Sequence, residues 1–151
     1  MSDPDQDLFE GLRRGALVDI QSLIGRKLYR LMGLVHALTG QKAQTLTPMI
    51  LRHAIETIHL YKPQHMLFDS WLHVIALQQT KTHEHEGPLA MLKPVQRHCL
   101  ALSFYQGFEA REIAYILGIN RQQVETHLKS ARIKLGSHLK SLSLPQVSHV
   151  S

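Results

Sequence analysis

Between Ala110 and Val124 an amphipathic pattern breaks once, at Gly118, and resumes three residues later. The stretch reads Ala110-Arg111-Glu112-Ile113-Ala114-Tyr115-Ile116-Leu117-Gly118-Ile119-Asn120-Arg121-Gln122-Gln123-Val124. It predicts two helices crossing at a sharp corner. Ala114 is small where the helices must touch, and Gly118 sits where the chain must turn. Ile113, Leu117, Ile119, Val124 and Leu128 wedge the pair together, and Asn120 is placed to cap the second helix. This is the helix-turn-helix pattern, whose second helix presents its first turns to the DNA major groove. The same pattern also arises as plain packing in helical proteins, so the surface chemistry has to discriminate.

Charge supplies that discrimination. Residues 1–87 carry 9 Lys/Arg and 9 Asp/Glu, whereas residues 88–151 carry 8 and 3, so the entire net charge of +5 lies in the C-terminal part. A small basic module suits a polyanion, because each neutralised phosphate releases counterions. A solvated basic surface is the alternative reading. In the predicted helix from Arg121 to about Leu139, Val124, Leu128, Ala131 and Leu135 recur at core spacing. The other faces offer Gln122, Gln123, Thr126, Lys129 and Ser130. Glutamine can bond adenine twice and threonine is adaptable; Glu125 can accept from a cytosine amino group, although a carboxylate near phosphates more often repels. Arg111, Arg121, Lys129, Arg132 and Lys134 are candidate phosphate contacts. With Asn120 and His127 these residues make up the expected DNA-facing set.

The rest of the chain also repeats apolar residues at three- and four-residue spacing, which predicts an all-α protein. Helices are expected over about Asp5–Arg14, Leu17–Leu38 (ended by Thr39-Gly40), from Thr47-Pro48 to before Lys62-Pro63, and over Phe68–Gln79. Threonine followed by proline is a helix-opening pair, which places the third start at Thr47. Thr80 to Pro88 is polar, ends in Gly-Pro and has no apolar period, so it reads as a linker. Beyond it, helices are expected over Pro94–Phe104 (ended by Gly107), Glu109–Leu117 and Arg121–Leu139. The expected organisation is two small helical domains: 1–79, a linker at 80–91, the helix-turn-helix domain at 92–140, and a flexible tail at 141–151.

Other chemistry is sparse. No Ser-His-Asp set, carboxylate pair or glycine-rich phosphate loop stands out, so no enzymatic activity and no cofactor are expected. His83, Glu84 and His85 lie together in the linker, but a structural metal site wants four ligands on an ordered frame, so no metal is expected. His36, His53, His59 and His73 read as surface or boundary residues. Cys99, the single cysteine, reads as a small buried apolar side chain. No apolar run long enough to span a membrane is present, and the acidic start is unlike a signal peptide, so a cytoplasmic protein is expected.

Leu92-Lys93-Pro94-Val95-Gln96-Arg97-His98-Cys99-Leu100-Ala101-Leu102, then Gly107, Glu112-Ile113-Ala114-Tyr115-Ile116-Leu117-Gly118-Ile119, Val124, Leu128, Ala131-Arg132 and Leu135 together resemble domain four of extracytoplasmic-function (ECF) sigma factors. Leu28-Tyr29-Arg30-Leu31, Leu38-Thr39-Gly40 and Phe68-Asp69-Ser70-Trp71-Leu72-His73-Val74-Ile75-Ala76 resemble domain two more faintly. The resemblance implies binding to the promoter −35 element and the flap of core RNA polymerase through domain four. Through domain two it implies clamp binding and −10 melting, and it allows for an anti-sigma partner.

Three stretches depart from the family pattern. Gln41 to Met49 lacks the acids that usually follow Leu-Thr-Gly, and Leu77 to Glu86 lacks the usual basic stretch. Glu125, His127 and Ser130 stand where cations are usual. A divergent ECF sigma factor directing promoter-specific initiation is the leading expectation. The alternatives are a sigma-like regulator acting through protein contacts without opening promoters, and a stand-alone helix-turn-helix regulator.

Overall fold

A computed structural model of the chain describes residues 3–150, with side chains described through Ser141. Among the described residues seven α-helices follow one another: α1 (Gln6–Arg14), α2 (Leu17–Thr39), α3 (Ala43–Glu56), α4 (Phe68–Thr80), α5 (Pro94–Leu100), α6 (Ala110–Leu117) and α7 (Arg121–Val150). No strand occurs among the described residues, so the all-α expectation holds. The backbone of α7 runs past Leu139, where no glycine or proline interrupts residues 137–144. Of the expected tail, Ser151 and the side chains of 142–150 lie outside the described residues.

The N-terminal group packs α1, α3 and α4 around α2. Leu23, Leu31, Leu34 and Leu38 of α2 are fully buried, at the spacing that puts them on one face. Phe9, Tyr61 and Phe68 close one end of this core as an aromatic cluster with centroids 5.1–5.9 Å apart. Asp5 and Lys27 pair at 2.7 Å beneath α1, and Lys27 also reaches Asp69 at 3.1 Å.

The third helix begins earlier than its Thr47-Pro48 signal suggested. α3 starts at Ala43, directly after a 3-10 turn at Gly40–Lys42, and Pro48 lies inside it. Thr47 caps nothing. It is buried, and its hydroxyl donates to the Ala43 carbonyl at 2.7 Å. Burial of Ala43 and Thr47 in the shared core outweighs the local preference of proline for a helix's first position.

The helix expected over Pro94–Phe104 is α-helical only to Leu100 and then widens into a π turn, Ala101–Tyr105. The turn leaves Phe104 largely exposed, while Ala101 and Leu102 stay buried. Cys99 is fully buried, and burial pushes its thiol up to about 11, as suits a packing residue.

The connecting segment is ordered and packed. Lys81–Glu86 forms a 3-10 turn, and Leu89 is buried. Glu84 points inward. One of its oxygens accepts from Arg97 Nη1 at 2.9 Å and meets His98 Nε2 at 2.7 Å, and the other accepts from Thr80 Oγ1 at 3.2 Å. Arg97 fastens the same segment by donating to the Leu89 and Leu92 carbonyls. Burial alone would raise the Glu84 carboxyl, but the hydrogen bonds from His98 and Arg97 hold it below its ordinary value. His83 and His85 go elsewhere: His83 lies 3.4 Å from Lys42 Nζ, and His85 is exposed beside Glu86. A Cβ at Gly87 would overlap the Leu38 carbonyl, so the connector runs in direct backbone contact with the end of α2.

Candidate nucleic-acid interface

The C-terminal module is built by α5, α6 and α7. Val124, Leu128 and Ala131 of α7 are buried against α5 and α6, with Leu135 partly buried beyond them. Ile113 and Ile116 of α6 face the same core, where Leu117 and Ile119 pack at its edge. α6 ends as its sequence demands. Gly118 adopts φ 69°, a left-handed conformation that disfavours any side chain, and its N–H reaches the Ala114 carbonyl. The Ile119 N–H reaches the same carbonyl at 3.1 Å.

Asn120 caps α7 reciprocally with Gln123. The Gln123 N–H donates to Asn120 Oδ1 at 2.8 Å, and the Asn120 N–H donates to Gln123 Oε1 at 3.0 Å. This arrangement assigns separate tasks within the expected DNA-facing set. The side-chain oxygens of Asn120 and Gln123 are committed to holding the helix start. Arg121 Nε lies 3.3 Å from Glu125, so the two charges offset each other in the first turns. The Thr126 hydroxyl donates to the Gln122 carbonyl at 3.0 Å, which leaves it able to accept. Gln122, Thr126 and Lys129 are exposed and share the stripe opposite the core residues, so they are the members free to reach a groove.

The remaining members divide by face. His127 and Ser130 are half-buried on the flank of α7. Arg132 leaves the exposed stripe and lines an apolar groove with Leu100, Phe104, Leu135 and Leu139. Lys134 is exposed on the other flank. Arg111 is exposed in the first turn of α6.

This corner, capped and wedged in this way, lies within a segment of known type: residues 89–135 match the family model for sigma-70, region 4. That segment is similar to sigma-70 region 4 and is denoted region 4 here. Among solved structures the chain is similar to CnrH, seen in complex with the cytosolic domain of CnrY. The similarity has a TM-score of 0.81 at 20% identity and covers 92% of this chain and 99% of the other. The likeness spans both helical groups, so the chain shares the overall fold of CnrH. No curated protein matches the sequence.

Region 4 is not an isolated module here. The turn that enters α6, Gln106-Gly107-Phe108, inserts between α2 and α4. Gln106 Nε2 donates to the Arg30 carbonyl at 2.8 Å and to His73 Nε2 at 2.8 Å, while Arg30 Nη1 donates to the Gln106 carbonyl at 3.3 Å. Phe108 is buried between the Arg30 guanidinium, 5.2 Å from its centroid, and the His73 ring, 4.8 Å away and edge-on. Asp69 completes the cluster by gripping Arg30 at 2.8 Å. Burial would raise the Asp69 carboxyl, but the Arg30 hydrogen bond and the charges of Lys27 and Arg30 hold it below its ordinary value.

His73 is therefore no surface residue. It is fully buried, and desolvation pushes its pKa down to about 4 against the pull of Asp69. Sequence reading missed Arg30, His73, Gln106 and Phe108 as a group, because their partners lie 33–76 residues apart. Gly107, with φ 73°, was the one local sign that the backbone turns there for a purpose.

Proposed function

We propose that this chain directs promoter-specific transcription initiation, by binding core RNA polymerase and reading the −35 element with α7. The observation that carries this reading is the capped corner at Gly118–Asn120, which leaves Gln122, Thr126 and Lys129 exposed on the first turns of α7. Arg111, Arg121, Lys129 and Lys134 are the proposed phosphate contacts, and Gln122 is the proposed base reader. The apolar groove beside the π turn, with Phe104 and Leu139 exposed, suits an apolar segment of the polymerase flap. By likeness to CnrH, seen with the cytosolic domain of CnrY, an anti-sigma partner belongs to the same proposal. So do a cytoplasmic site of action and the division into domains at 1–79 and 92–140. No helix among the described residues is long and apolar enough to cross a membrane.

A second reading, regulation through protein contacts without promoter opening, draws support from α3. Of its exposed positions, Gln44, Thr45, Pro48, Met49 and Arg52 carry no carboxylate for a basic clamp, and Glu56, at the C-terminal end, is paired with Arg52. A stand-alone helix-turn-helix regulator fits less well, since region 4 is seated on the N-terminal group through Phe108. Run-off transcription with purified core polymerase on candidate promoters tests the proposal. Specific start sites are expected. Polymerase binding without transcripts would sink initiation and favour the second reading, and DNA binding without polymerase binding would leave only the third.

A further inference from the structure

We infer that Glu125 makes DNA binding by α7 conditional on sequence: its carboxylate accepts from a cytosine amino group at the promoter and repels the duplex wherever that donor is missing. This role rests on the reading of α7 as the helix that enters the groove, and deepens it.

Glu125 stands among the residues placed for that task. Gln122, Glu125 and Lys129 follow one another at spacings of three and four, which puts them on one side of α7, and all three are exposed. The reciprocal cap between Asn120 and Gln123 fixes the helix start one turn earlier, so the Glu125 backbone is in position before DNA arrives. The side chain is steadied as well. Arg121 Nε donates to Glu125 Oε1 at 3.3 Å, across one turn. Among the described residues that is the one hydrogen bond the carboxylate accepts, so Oε2 keeps its capacity for a donor from outside.

Major-groove chemistry then selects the base. Guanine offers two acceptors there, thymine an acceptor and a methyl group, and adenine an amino group beside an acceptor. Cytosine alone offers a donor with no acceptor on the same edge. A carboxylate can only accept, so the other three bases set lone pairs or a methyl group against Glu125. Phosphate repels it in every sequence. Over residues 121–129 two cations, Arg121 and Lys129, face this one carboxylate, so Glu125 cancels half the positive charge that the first turns of α7 would bring to the backbone. A wrong site therefore leaves a desolvated carboxylate without a donor, and that penalty widens the gap between right and wrong sites.

The test uses the full chain, alone and with core RNA polymerase, to select at fixed salt from a pool of duplexes randomised over one helical turn. Wild type is expected to enrich duplexes with one position held as cytosine, and changing that base should weaken its binding roughly tenfold. Glu125→Ala is expected to lose this preference while keeping those that Gln122→Ala removes. It should also bind unselected mixed-sequence duplex about threefold tighter or more. Glu125→Gln is expected to move the preference from cytosine to adenine, because a glutamine amide matches adenine's donor and acceptor together. Glu125 is exposed, and circular dichroism checks that both variants keep their helicity. Glu125→Ala keeping every wild-type preference would sink the role of Glu125 and leave the reading of α7 intact. Loss of a preference for any other base would overturn the assignment to cytosine, and unchanged affinity for unselected duplex would overturn the repulsion. If wild type enriches no sequence in either form, α7 is not a base reader, and Glu125 has no such role.

Discussion

At the scale of single residues, the decisive groups are those that bury charge or refuse it. His73 sits among Asp69 of its own helix, Arg30 and Lys27 of α2, and the Gln106 amide and Phe108 ring of region 4. Its folded pKa of about 4 lies below the ordinary 6.5. Between those values the unfolded chain takes up a proton that the folded chain refuses, so stability is full above about pH 6.5 and falls as the pH drops toward 4. The loss is expected to be on the order of 3 kcal/mol. Asp69 and Glu84, held below their ordinary values, add further losses as the pH falls through the carboxylate range. Urea unfolding at stepped pH checks this, and His73→Gln should flatten the profile between pH 6.5 and 4. Glu84→Ala strands the buried Arg97 guanidinium and is expected to cost about 3–5 kcal/mol by thermal unfolding. Adding Arg97→Met should return much of that loss, an outcome that simple loss of packing around Glu84 does not predict.

At the scale of elements, legibility followed the range of the forces involved. The α6–α7 corner could be read because every constraint on it is local. Gly118 supplies the left-handed turn, Asn120 the cap, and Val124, Leu128 and Ala131 the buried stripe. Asn120→Ala is accordingly expected to cost about 1 kcal/mol in urea unfolding, and Gly118→Ala a similar amount, from its positive φ. α3 was misplaced at its start because burial of Ala43 and Thr47, a tertiary effect, overrode the signal at Thr47-Pro48. The connector looked like a plain linker because its anchor is a carboxylate, which no apolar period reveals, and its partners Arg97 and His98 lie 13 and 14 residues onward. The exposure of the candidate residues on α7 was legible, but not their division of labour. Nothing local says that Gln123 spends its oxygen on the Asn120 backbone while Gln122 stays free.

At the scale of the whole molecule, two helical groups share one continuous buried core and one buried polar cluster around Gln106. A single cooperative unfolding transition is expected, with calorimetric and van't Hoff enthalpies agreeing. Two separated transitions would show that the groups are energetically independent. DNA binding should carry a shallow salt dependence, because the Arg121–Glu125 pair partly cancels itself. Lys129→Ala is expected to reduce the slope of log affinity against log salt by about one, and Arg132→Ala, in the apolar groove, to leave it unchanged.

The contact between Gly87 and the Leu38 carbonyl has a practical corollary. A protease needs several residues of extended, detachable chain around its scissile bond, and the connector offers none: it is coiled at Lys81–Glu86, anchored inward at Glu84 and pressed against α2 at Gly87. Lys81, although exposed, should resist trypsin in the native protein. Brief digestion is expected to leave the two halves joined, whereas Glu84→Ala should open the site and release them as separate fragments.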